Sequence, residues 1–158
     1  MTNEVFAQRI VDMQGTLYRV SASILHQECD REDAVQSCIE RAWRKQSTLK
    51  DEIRLQAWVT RILINECYAI IRRRKRETPV ESVPELPAPQ GAQPDLYRFF
   101  RDLPDKLRLP MVLYYLEGYA VGEISLMLHL PQGTIKSRLS RGRDLMKKND
   151  IFKEVQDL

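Results

Sequence analysis

The chain has 158 residues, 43% of them hydrophobic, with a net charge of +3 and a pI near 8.8. That length holds one ordinary domain or two small ones, and so much apolar side chain excludes a wholly disordered protein. The net charge is too small to argue for a nucleic-acid partner by itself, so the case rests on where the charge sits.

Met1 to Gln8 has no basic flank leading into an apolar run. No later stretch approaches the roughly 18 to 20 apolar residues of a membrane span, so a cytoplasmic protein without membrane insertion is expected. From Phe6, the apolar positions Ile10, Met13, Leu17, Val20 and Ile24 recur at alternating steps of four and three, which predicts one long helix. Cys29, Cys38 and Cys67 are odd in number and lack close paired spacing, and His26 with Cys29 is the only near-neighbour pair of potential ligands. These read as ordinary thiols, and neither a metal nor a cofactor is expected.

Asp30 is the predicted N-cap of a second helix, with Asp33 in its first turn and Ala34, Val35, Cys38, Ile39, Ala42 and Trp43 as its buried stripe. A third helix is predicted from about Ile53 to Lys75, with Leu55, Trp58, Val59, Ile62, Leu63, Ile70 and Ile71 facing inward. It ends in five consecutive basic residues, Arg72 to Arg76. Such a run complements a helix C-terminus, or it can hold a DNA backbone. Asn65 lies within the helix, where an amide has little local advantage, and its side chain serves either DNA or a buried hydrogen bond.

Between Glu77 and Asp95 stand Pro79, Pro84, Pro87, Pro89 and Pro94, five of the eight prolines in the chain. Proline lacks the backbone donor and turns its predecessor away from helix, so residues 77–94 are expected to link two domains. Phe99, Phe100 and Leu103 suggest a short helix after the linker, and Leu107 to Leu116 a longer one that Gly118 ends. A brief helix from about Ala120 to Leu128, a turn at His129 and Leu130, and a helix from about Gln132 to Lys148 then have the dimensions of a helix-turn-helix. In this last helix Ile135, Leu139 and Leu145 form an apolar seam, while Lys136, Arg138, Arg141, Arg143, Lys147 and Lys148 face only Asp144 as an opposing charge. A helix apolar on one side and basic elsewhere suits a phosphate-lined groove. No strand alternation occurs, so the fold is expected to be all-α, as two small helical domains joined by a Pro-rich linker.

Taken together, these segments resemble the extracytoplasmic-function group of the sigma-70 family. Asp30 to Arg44 resembles region 2.2, Gln56 to Asn65 resembles regions 2.3 and 2.4, and Leu103 to Arg108 with Leu116 to Arg143 resemble region 4. The resemblance implies region 2 over residues 1–76, a flexible linker over 77–94, region 4 over 95–150 and a tail at 151–158. It also implies a transcription initiation factor without catalysis of its own. Its partners would be the RNA polymerase core, through the clamp helices of the largest subunit and the flap, then promoter DNA, and an anti-sigma factor.

Residue by residue, the resemblance implies minus-35 contacts from Thr134, Lys136, Ser137, Arg138 and Arg141. It implies minus-10 contacts from Leu49, Asn65, Arg72, Arg73 and Arg76, with the loop from about Lys45 to Glu52 forming part of a pocket for a flipped base. Leu49 departs from the family, which often has an aromatic residue there. Asp33, Gln36, Glu40 and Arg41 would dock on the polymerase. Trp43 and Trp58 lie on apolar stripes and are expected in the core. His129 stands where the family has Gly, and Ala120 and Gly122 stand where it has a capping Ser and an acidic residue, so a weakly capped scaffold helix is expected. The competing reading from another class is a stand-alone dimeric helix-turn-helix regulator. An enzyme is not expected, since no carboxylate cluster, activated nucleophile or metal-spaced ligand set occurs in the sequence.

Overall fold

The computed structural model describes residues 1–77 and 100–148. The chain divides into two compact units, Met1–Pro87 and Ala88–Leu158. Apart from Glu77, which ends a helix, the expected linker lies outside the described residues, as do Phe99 and the tail at 151–158.

The first unit begins with two helices in place of the single one expected, α1 (Asn3–Asp12) and α2 (Gln14–Ile24), parted at Met13. Thr2 starts α1, its hydroxyl accepting from the Val5 N–H at 3.2 Å. The Met13 N–H is shared between the carbonyls of Arg9 and Ile10, at 3.2 and 3.0 Å, so the helix tightens there. The cause is the period of the stripe. Steps of four and three average 3.5 residues per turn, and a straight helix of 3.6 would drift away from them. One tighter turn brings Phe6, Ile10, Met13, Leu17 and Val20 back into line, and all five are buried.

Helix α3 runs Glu28–Lys45, starting three residues earlier than expected, with Gln27 at its N-cap. Asp30 therefore lies in the first turn and is not a cap. Ala34, Cys38 and Ala42 form a ridge of small residues at four-residue spacing, each fully buried, which lets α4 (Leu55–Glu77) approach closely. From α4 come Leu55, Val59, Thr60, Leu63, Ile64, Cys67 and Ile70. Trp58, Ile62 and Ile71 are only half-buried, and so are Val35 and Ile39 of α3. Arg31 is 1% exposed. Its guanidinium donates to the carbonyls of Leu25 and His26 at 3.0 and 3.2 Å, closing the end of α2 with a charge that suits a helix C-terminus.

In the second unit, α5 (Asp105–Met111) passes into a π-helical turn over Val112–Leu116. Gly118, at φ 75°, ends it in the left-handed conformation that glycine adopts without strain. Helices α6 (Val121–Leu128) and α7 (Gln132–Lys148) complete the helix-turn-helix within one or two residues of the expected bounds. His129 between them is left-handed, at φ 55° and ψ 43°, a conformation that costs a non-glycine residue about 1 to 2 kcal/mol. The Ser125 hydroxyl donates to the Leu130 carbonyl at 2.5 Å and holds this turn. Ala120 offers α6 no side-chain acceptor, but Glu123 accepts from the Ala120 N–H at 3.0 Å, which supplies half of a capping box. The buried seam of α7 is Ile135, Leu139, Gly142 and Met146, while Leu145 is half-buried.

Helices α5 and α7 cross at Gly142, where an added Cβ would lie 2.7 Å from the buried Met111 sulfur. Gly142→Val should destabilise the second domain by about 1 to 3 kcal/mol through overpacking. Gly133→Ala, on the same helix with nothing within 4 Å, should be neutral or stabilising. Thermal denaturation of both variants checks the contrast. Burial, reinforced by the Glu66 charge, pushes the Cys38 thiol up to about 12. Burial first, then Cys38 and Glu66, raises Cys67 as well. Both therefore stay protonated near neutrality, whereas Cys29 is exposed. An aromatic disulfide reagent should titrate one thiol in the native protein at pH 8 and three after denaturation.

Candidate nucleic-acid interface

On α7, Thr134, Ser137, Arg138 and Arg141 stand at positions i, i+3, i+4 and i+7, and so share one face. They line a cleft of about 760 Å³, closed on its other side by Pro104, Lys106 and Leu107 at the start of α5. Four of the five residues expected at the minus-35 element are thus brought together. Lys136 is exposed on the helix but does not line this cleft. Lys106 is the residue that sequence reasoning missed, since a lone lysine at a helix start carries no signal until the fold brings it opposite Arg138 and Arg141. Arg143 is turned elsewhere, donating to the Tyr115 hydroxyl at 3.3 Å. Arg108 is held inside the domain, donating to the Leu103 carbonyl at 2.6 Å and to Asp105 at 2.9 Å.

In the first domain, Asn65 is exposed, which excludes the buried hydrogen bond left open above. Asn65, Arg72 and Arg76 fall at i, i+7 and i+11, a stripe about 16 Å long on one face of α4. Arg73, also exposed, projects beside it. Arg74 divides the basic run. Its Nε and Nη2 donate to the two carboxylate oxygens of Asp30 at 2.5 and 2.7 Å, and Nη2 also reaches Gln27 at 3.0 Å. The hydrogen bond to Asp30 raises the Arg74 pKa further, so this residue is a fixed cation. Its role in the fold is structural, and its neighbours Arg72, Arg73, Lys75 and Arg76 are the ones displayed.

Leu49 is half-buried and lines a cleft of about 540 Å³ with Asn3, Trp43, Arg44, Gln46 and Ser47. Trp43 is not in the core, as its stripe position suggested, but 44% exposed. It continues the half-buried flank of Val35 and Ile39, about 100° round the helix from the Ala34, Cys38 and Ala42 ridge, and its ring meets Phe6 of α1 edge to face at 5.9 Å. Asp33, Gln36 and Glu40 lie exposed along one line of α3. Arg41 pairs with Glu66 of α4 at 2.5 Å.

Comparison with known proteins gives the family. Residues 10–77 match the sigma-70 region 2 family, and residues 95–146 match the sigma-70 region 4 family. The chain is 29% identical over 133 residues to the ECF RNA polymerase sigma factor SigM of Mycobacterium tuberculosis, covering 80% of this chain and 67% of that protein. It is 24% identical over 156 residues to the RNA polymerase sigma-E factor of Streptomyces coelicolor, covering 95% and 88%. The sigma factor RpoE of Bartonella quintana, solved with the anti-sigma factor NepR, superposes with a TM-score of 0.76 at 29% identity, covering 92% of this chain and 96% of that one. The chain belongs to the sigma-70 family. Within it, this is an extracytoplasmic-function sigma factor, an initiation factor that directs RNA polymerase to promoters. No helix among the described residues is long and apolar enough to cross a membrane.

Arg74→Ala should destabilise the first domain by about 1 to 3 kcal/mol, because it strands the buried Asp30 carboxylate. Arg73→Ala should stay within about 0.5 kcal/mol of the parent. Chemical denaturation of the two variants separates the structural arginine from the displayed one.

Proposed function

We propose that residues 1–76 hold core RNA polymerase and the minus-10 element, that residues 95–150 read the minus-35 element, and that residues 77–94 span between them. The observation that carries this reading is the convergence of Thr134, Ser137, Arg138 and Arg141 with Lys106 around one cleft. Arg138 and Arg141 supply forked donors for guanine edges, Thr134 and Ser137 reach bases or phosphates, and Lys106 and Lys136 neutralise the backbone. On the first domain, the Asn65, Arg72 and Arg76 stripe follows the non-template strand, assisted by Arg73, while Leu49 and its loop border the place of a flipped base.

Asp33, Gln36 and Glu40 dock on the clamp helices of the largest subunit, with Arg41 steadied by Glu66, and the second domain meets the flap. The protein acts in the cytoplasm and performs no catalysis itself. The Bartonella RpoE structure was solved with the anti-sigma factor NepR, and we assign this chain a partner of the same kind, covering the faces that meet polymerase and DNA. A stand-alone duplex-binding regulator has no use for the displayed basic stripe and cleft of the first domain.

Run-off transcription with purified core polymerase over a library of promoter fragments tests the proposal. The parent should initiate from a distinct promoter set, and Arg138→Ala and Arg141→Ala should each weaken it about 5- to 150-fold, the range of a lost bidentate base contact. No initiation together with no core binding would favour the duplex-binding regulator.

A further inference from the structure

Trp43 is the feature that the preceding assignments leave unused. Trp43, 44% exposed near the end of α3, has one aromatic neighbour among the described residues, Phe6, which is 1% exposed. The two rings meet at 63° with centroids 5.9 Å apart, so the buried ring sets the orientation of the exposed one. Trp43 also borders the 540 Å³ cleft, large enough for a nucleobase and its sugar. It is the one aromatic side chain lining that cleft. Leu49 offers apolar contact but no π face.

The rest of the lining is polar in a manner suited to a nucleotide. Asn3, Gln46 and Ser47 can bond a base edge, and the Gln46 amide nitrogen already donates to the Trp43 carbonyl at 3.1 Å, which turns its oxygen into the available acceptor. Arg44 is shared with an adjoining hollow of about 260 Å³ bounded by Arg41 and Lys45. Arg41 is engaged by Glu66, which makes Arg44 and Lys45 the cations for a phosphate. Glu52, the acidic residue at the cleft, is paired with the Met1 amino group at 2.9 Å. Aromatic face, neutral hydrogen-bonding groups and adjacent cations together match single-stranded DNA better than a protein side chain.

We infer that Trp43 is the stacking surface for an unpaired base of the promoter strand, with Arg44 and Lys45 receiving the phosphate beside it. The inference rests on the assignment of the first domain to the minus-10 element. It moves the aromatic platform from the loop to the end of α3, which explains how a chain with leucine at position 49 can still grip an extruded base.

The test uses reconstituted holoenzyme and fork-junction DNA from a promoter that the parent initiates, its minus-10 non-template strand unpaired and carrying an abasic site at each position in turn. Trp43→Leu keeps an apolar side chain over Phe6 and removes the aromatic face, and Trp43→Phe restores a face. Trp43→Leu should bind the intact fork roughly 5- to 150-fold more weakly, the range for one stacked base, with core binding unchanged, and Trp43→Phe should recover most of the loss. One abasic position should weaken the parent by a similar factor and cost Trp43→Leu nothing further. Equal abasic penalties in parent and Trp43→Leu would overturn the inference, as would loss of core binding in place of fork binding, which would put the ring against polymerase. If parent holoenzyme initiates from the promoter yet binds the fork no better than the same DNA fully paired, the minus-10 assignment itself fails, and the inference falls with it.

Discussion

Asp30 enters the first turn of α3 facing inward, and its carboxylate would be stranded there without Arg74 reaching back from the far end of α4. The two residues are 44 apart in sequence, and their forked contact ties the start of one helix to the end of the other. At the opposite end of the pair, Arg41 and Glu66 make a second ion pair between the same helices. Between these clasps lie Ala34, Cys38 and Cys67, with Ala42 just past the second, all too small to hold the helices apart. Close approach is what makes the charge pairs short, and the pairs in turn fix the register along which the small residues pack. The displayed residues of the domain inherit that register. Asn65, Arg72 and Arg76 share a face because α4 is long and unbroken, and that face is turned outward because Leu63, Cys67 and Ile70 are buried on other sides of the helix.

A buried arginine recurs in both domains with the same local geometry. Arg31 bonds the carbonyls five and six residues before it, and Arg108 bonds the carbonyl five residues before it. Each sits in the first turns of its helix and closes the loop from which that helix emerges. A guanidinium is suited to this work, since its planar fork can satisfy more than one backbone oxygen at once and stays charged at any physiological pH. The loops so closed are short, and each leads a helix into its domain at a fixed angle.

The sequence made the helical stripes legible because apolar periodicity reports burial directly. Phe6 to Val20, the α6–α7 pair and, on α4, Leu55, Val59, Leu63 and Ile70 could be read from spacing, whereas the buried Thr60, Ile64 and Cys67 could not. It could not reveal the break at Met13, because a 3.5-residue period suits either a slightly overwound helix or two helices joined by a tight turn. Asp30 looked like a cap since its type favours that position, and only the three-dimensional partner, Arg74, explains why it is used otherwise. Trp43 followed the stripe by count, but the stripe is only as wide as Ala34, Cys38 and Ala42, and Trp43 stands on its flank with Val35 and Ile39. In the candidate interface, Thr134, Ser137, Arg138 and Arg141 were legible as a helical face, whereas Lys106 was not, because its meaning comes from an element that is distant in sequence. The basic run read as five equivalent charges until geometry removed one of them.

The π-helical turn at Val112–Leu116 holds one residue more than an α-helix would need to cover the same path. The Tyr119 N–H accordingly reaches six residues back, to Leu113, where a glycine-ended α-helix reaches five. That surplus residue is slack taken up inside the turn. Deleting one position there would let it relax to α-helix along the same path, and the chain beyond Gly118 would leave the helix where it does now, whereas a deletion within Asp105–Met111 would rotate it by about 100° and shift it by about 1.5 Å. Helices α6 and α7 would keep their seat on α5 in the first case and be delivered to its wrong side in the second, so the turn is the place where this helix can lose a residue.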